Sequence, residues 1–165
     1  MNFQRELDPD EQSVIDNIRD HGCHIMHVFD DKGELPEFSY SIGFPVSVGQ
    51  AEVIVFGLKR EVRHWMVNEV CRQCAEGLKL TEGLRISGLV EGFDCVARLV
   101  RDPGAIREYF GWAIWFHETQ RGEQLTEVYQ LVWPGAVQGL FPWDEGCDED
   151  VIELQLPLYD LKVAS

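Results

Sequence analysis

A chain of 165 residues with 45% apolar composition can bury one core without disulfides or a structural metal, and it is short for two domains. Its 29 acidic residues against 14 basic ones give a net charge of -15, which argues against nucleic-acid binding, because affinity for phosphate backbones comes from Lys and Arg replacing counterions. The same balance favours solubility and electrostatically steered encounter with a basic protein. The five cysteines, Cys23, Cys71, Cys74, Cys95 and Cys147, are odd in number, no leader of secretory type is evident, and no apolar run is long enough to span a bilayer. A cytoplasmic location is expected, with no membrane partner.

Asp8, Pro9, Asp10 and Glu11 form a helix start, with a capping acid, a proline in the first turn and carboxylates that complement the helix dipole. Val14, Ile15 and Ile18 then share one face, and Gly22 is placed to end the helix, which runs from about Pro9 to His21. Cys23 to Phe29 reads as a strand, closed by the turn at Asp30 to Gly33. Glu37 to Phe44 reads as its antiparallel partner, with Phe38, Tyr40 and Ile42 on one face. Ser39, Ser41 and Gly43 form the other face, small enough for a backbone or a ligand to approach.

Past Glu52 the run Val53 to Leu58 is almost uniformly apolar, as in a central strand buried on both faces. Arg60 to Glu76 is the clearest helix: Val62, Met66, Val70 and Cys74 recur every four residues, Trp65 and Cys71 widen the stripe, and Gly77 stops it. Leu78 to Val100 returns to strand, firmest over Phe93 to Val100, with turns or bulges at Gly83, Gly88 and Gly92. Asp102-Pro103-Gly104 opens a third helix, about Ala105 to His117. Tyr129, Leu131 and Trp133 alternate with Gln130 and Val132 in a half-buried strand that Pro134 ends. A corner follows, with Leu140, Phe141, Pro142 and Trp143 before Asp144, as either a shaped surface or a sealed turn of the sheet. Ile152 to Leu156 alternates like a closing edge strand.

The element order, without regular β/α alternation, predicts a single α+β domain over residues 1–165, with a mostly antiparallel twisted sheet and about three helices packed on it. His21, Cys23, His24 and His27 have the chemistry of zinc ligands, but an extended strand sends His24 to the side opposite Cys23 and His27. Cys71 and Cys74 have redox spacing but sit deep in a helix, away from the N-terminus that would lower a thiol pKa. His117 reads as a histidine satisfied by the carbonyls that end the third helix. Asp144 to Asp150 places five carboxylates in seven residues without the ligand alternation of a calcium loop. No catalytic motif, cofactor fingerprint or metal set is assigned.

Three pieces together resemble a bacterial family, domain of unknown function 4262. They are the His21-Gly22 strand entry; Phe38 to Phe44 with Glu52 to Leu58 beyond it; and Gln130 to Pro134 with Gly139 to Asp144. The likeness spans about Asp16 to Asp144. The family pattern tends to an acid after the Trp-Pro pair, where this chain has Gly135, and a proline before the Glu, where it has Ala51. The resemblance implies no particular reaction.

Two functions are expected from the residues. The first is a non-enzymatic module of immunity or antitoxin type that covers a basic partner, using aromatic anchors with an acidic rim. Its candidate residues are Tyr40, Ser41, Gly43, Gln130, Trp133, Phe141, Trp143 and Asp144, with Glu145, Asp148, Glu149 and Asp150 as the charged loop. The alternative is a small-ligand or enzyme pocket between the Ser39, Ser41 and Gly43 face and the Trp133 to Trp143 corner, with Tyr40, Gln130 and Asp144 as its polar groups.

Overall fold

Asp8 caps the first helix, α1 (Pro9–His21), by accepting the Glu11 amide at 2.8 Å while the Glu11 carboxylate takes the Asp8 amide at 3.0 Å. These reciprocal bonds satisfy two donors that every helix start leaves open. Gly22, left-handed with φ 91°, ends the helix as expected. The computed structural model describes residues 6–161.

Six strands follow: β1 (His24–Val28), β2 (Phe38–Ile42), β3 (Glu52–Phe56), β4 (Arg85–Val90), β5 (Phe93–Val100) and β6 (Val128–Val132). They form one sheet in the order β1-β2-β3-β6-β5-β4. Each half, β1-β2-β3 and β4-β5-β6, is an antiparallel meander of sequence neighbours, and the halves join through the parallel pair β3 and β6. The sheet is therefore mixed: four of its five pairings are antiparallel, roughly as expected, and the parallel seam is the departure. The central strand β3 is buried along its whole length, in line with its apolar run.

Among the described residues there are six helices, twice the number expected. The others are α2 (Phe44–Ser47), α3 (Arg60–Ala75), α4 (Pro103–Tyr109), α5 (Gly111–Trp115) and α6 (Glu149–Leu154). The expected third helix is broken at Phe110, whose backbone (φ -112°, ψ 34°) leaves the helical region just before Gly111. It then widens into a π-helical turn over Phe116–Gln120. Its apolar face survives the break, since Ile106, Phe110, Ala113 and Phe116 are all buried. The expected strand at Ile152 to Leu156 is instead the end of α6. Val151 and Gln155, four apart, face inward, Ile152 and Leu154 are exposed, and Glu149 and Asp150 supply the first-turn acids.

The sheet has a core on each face. On one, Met66, Val67, Val70 and Cys74 of α3 pack with Val53, Val55, Leu131 and Trp133. On the other, Val14 and Ile18 of α1 and the buried residues of α4 and α5 pack with Tyr40, Ile54, Phe56 and Val132. Each such side chain, fully buried, contributes about 1.5–3 kcal/mol by leaving water. Trp65 departs from the expected α3 stripe and stands 57% exposed.

Candidate functional site

The residues singled out at the aromatic corner are divided between the two faces of the sheet. Trp133 lies in the core under α3, donating its indole N–H to Phe56 O at 2.7 Å, whereas Phe141 and Trp143 belong to the opposite core, stacked 5.1 Å apart. Arg98 fills the space beyond them, 4.7 Å from the Trp143 ring and 4.3 Å from Tyr159. Asp144 accepts the Phe141 amide at 2.8 Å and closes the turn. Gln130 is buried and spends its side chain on Leu156 O and Leu158 N, each at 2.9 Å. The structure thus places most of the corner as a sealed turn of the sheet. Glu145, Asp148, Glu149 and Asp150 remain exposed.

The small face of β2 is also occupied. Ser39 and Ser41 are fully buried. Tyr40 is 2% exposed and its hydroxyl accepts the Trp112 amide at 3.0 Å, with burial pushing its pKa up to about 12. Gly43 has φ 111°, and a Cβ there would come within 2.8 Å of Ile18 Cγ1, so the backbone and the packing both require glycine.

Ser41 and Gly43 serve a centre that the sequence alone did not reveal. Glu52, the one acid in the apolar β3 run, is completely buried. Its Oε1 accepts Ser41 Oγ at 2.7 Å and the Phe44 amide at 3.1 Å, and its Oε2 accepts the Gly43 amide and His117 Nε2, each at 2.7 Å. Arg121 Nη1 lies 3.3 Å from His117 Nδ1, which places the imidazole proton on Nε2, toward Glu52. His117 therefore bonds a carboxylate rather than the helix carbonyls expected for it. An acid inside an otherwise apolar strand was the available signal, because a buried carboxylate requires partners.

A second polar chain links Arg63 to the surface. Arg63, also fully buried, donates Nε–H to Ser39 Oγ at 2.8 Å and Nη1–H to Leu58 O at 2.8 Å and Gly57 O at 3.3 Å. Leu58 holds a left-handed backbone, φ 62°, rare for a non-glycine residue, and the arginine pins its carbonyl. Ser39 Oγ, which accepts from Arg63, also lies 2.6 Å from His27 Nδ1, and His27 Nε2 lies 3.2 Å from His64 Nδ1. The cluster expected to look metal-like is thereby dispersed: His27 joins this chain, His24 pairs with Asn17 at 2.9 Å, and Cys23 lies in the core with Cys71.

Burial, followed by the nearby charge of Arg60, His64, Arg63 and His24, holds His27 down to about 4. Between the usual value near 6.5 and about 4, the unfolded chain binds a proton that the native state refuses. Stability is thus fully present above that window and is lost as pH falls through it. For this half-buried ring the screened effect is on the order of 1–2 kcal/mol. The difference in urea midpoint between the wild-type chain and His27→Gln is expected to vary between pH 7 and pH 4.5; a constant difference would refute the assignment.

The opposite side of α3 borders an open groove of about 990 Å³. Val62 and Trp65 form its helical wall, and Leu89, Val90 and Phe93 of the β4–β5 hairpin form the other. Trp65 Nε1–H reaches Gly88 O at 3.3 Å, where the register of β4 shifts between Ile86 and Val90 and Gly88 adopts φ 85°. α3 stays against the strand at this irregularity, with Gln73 Nε2–H donating to Ser87 O at 2.8 Å. Glu61, Glu91 and Asp94 rim it, and no Lys, Arg or His is among its lining residues. Gly139 packs on Phe93, so the turn leading to the acidic loop abuts one groove wall.

The family model for Domain of unknown function (DUF4262) matches residues 17–148, and the chain belongs to that family. No curated protein and no solved structure matches the chain.

Proposed function

We propose, for this member of the DUF4262 family, a non-catalytic role: a binding module of immunity or antitoxin type that takes a basic segment of a partner protein into the groove at Trp65. The observation that carries this reading is the indole itself, a large aromatic surface 57% exposed over a cleft whose charged residues are all acidic. A Lys or Arg side chain laid on an indole face gains cation–π attraction, and three rim carboxylates with a net charge of -15 steer it there. The acids Glu145, Asp148, Glu149 and Asp150 are exposed and add to the negative charge of the surface. The alternative of a small-ligand or enzyme pocket at the corner has less support, since Gln130, Trp133 and Phe141 are buried and the polar atoms of Gln130 and Trp133 are already bonded.

A lysine-rich decapeptide titrated into the isotopically labelled protein tests the assignment. The Trp65 indole N–H resonance is expected to move saturably at low salt and to return in about 0.5 M NaCl, because rim charges act over roughly a Debye length. Equal movement across the whole acidic surface, or none at Trp65, would remove the groove from consideration.

A further inference from the structure

The start of α3 carries a feature of opposite charge preference to the groove. Arg63 is the fourth residue of the helix, at the close of its first turn, where a side chain leans back toward the N-terminus. Its Nε and Nη1 are fully used, but the buried Nη2 makes no hydrogen bond. The nearest carboxylate oxygen, Glu37 Oε2, lies 3.7 Å away, outside hydrogen-bond reach, on a side chain 45% exposed. Buried guanidinium nitrogens are rarely left in this condition, because the unmet N–H groups have lost water and gained no acceptor.

The surroundings suit an anion. The cap residue, Lys59, offers no side-chain acceptor to the first amides of α3, and a helix start favours negative charge. Arg60 lies close enough to act electrostatically on both Arg63 and His27, and the acid Glu61 also acts on Arg63. The exposed His64 meets His27 through its Nδ1, and its Nε2 is engaged by none of the described residues. Such a gathering of donors is conspicuous in a protein with 29 acids and 14 bases.

We infer that the start of α3 is an oxyanion site, in which a phosphate or carboxylate group displaces the Glu37 side chain and bonds Arg63 Nη2, with Arg60 and His64 as supporting donors. Glu37 is then a resident competitor. Its long, non-hydrogen-bonded approach to Arg63 leaves the better acceptor position open, and its exposure lets it swing into solvent. The ligand is small or presents a terminal anionic group, because only one guanidinium nitrogen is open. It is distinct in chemistry from the cationic segment assigned to the Trp65 groove, which lies on another face of the same helix.

Inorganic phosphate and, separately, acetate are titrated at pH 7.5 and constant ionic strength into wild-type protein, Glu37→Gln and Arg60→Gln, with the Arg63 Nε–H and His64 ring signals followed by NMR. Both substituted side chains are exposed, so both variants are expected to fold. Saturable movement with phosphate is expected, about tenfold tighter in Glu37→Gln and about tenfold weaker in Arg60→Gln. The same pattern with acetate in place of phosphate identifies a carboxylate-bearing ligand for the same site. No saturable movement in either wild type or Glu37→Gln overturns the inference, as does movement that neither substitution alters, the mark of general ion screening.

Discussion

Alanine in place of Glu52 is expected to remove about 3–5 kcal/mol of folding free energy, a large share of the roughly 5–15 kcal/mol that typically stabilises a domain. Four donors converge on this carboxylate from Ser41, Gly43, Phe44 and His117, and all of them are buried. Removing the acceptor strands each donor in a place that water does not reach, and a stranded donor costs about 1–3 kcal/mol. In a chain of this length the melting temperature is expected to fall by roughly 10 °C or more. Glu52→Gln should recover only part of the loss, because its amide nitrogen turns donors either toward the Gly43 amide and His117 or toward Ser41 Oγ and the Phe44 amide. Thermal and urea unfolding of the two variants decide the matter; a melting temperature within about 2 °C of wild type for Glu52→Ala would show that the carboxylate is not holding these segments together.

Trp65→Ala is expected to weaken binding of a basic partner, or of the lysine-rich peptide that stands in for it, by about 30-fold or more, corresponding to about 2 kcal/mol or more. The same change should cost little stability, since the indole is largely exposed and its one bond, to Gly88 O at 3.3 Å, lies at the surface. Charge reversal on the rim should behave differently. Glu91→Lys and Asp94→Lys place like charge against the ligand, so they are expected to slow association and flatten its salt dependence. Calorimetry with stopped-flow association separates these effects. Unchanged affinity in Trp65→Ala would end the case for the groove, whatever the rim charges did.

What could be read from the chain was whatever its neighbours decide. α1 lay in one stretch with its cap, its stripe and its terminating glycine, and the structure reproduces its expected bounds. The β1–β2 hairpin and the buried β3 were legible for the same reason. Ile152 to Leu156 misled because alternation in five residues does not distinguish a strand from one helical turn; burial of Val151 and Gln155 decided for the helix. Trp65 misled in the other direction, since helical spacing says which side a residue faces only when the neighbouring elements are known. The contact of Glu52 with His117 joins residues 65 positions apart and leaves no local trace beyond an acid in an apolar run. The vacant nitrogen of Arg63 depends on the exact reach of Glu37, which no pattern records.

The division of the sheet into two meanders also bears on how the chain acquires its structure during synthesis. Residues 24–56 contain every partner that the first meander needs, and residues 85–132 contain those of the second. The seam is different: Val53 pairs with Tyr129, and Glu52 waits for His117, so neither contact can form until the second half has emerged from the ribosome. Until then β3 presents an apolar edge with a carboxylate at its start and no neighbour on that side. Closing the long intervening loop carries an entropic cost that local pairing avoids. The nascent first half is consequently the form of this protein most exposed to wrong association, and completion of β6 is the event that ends the hazard.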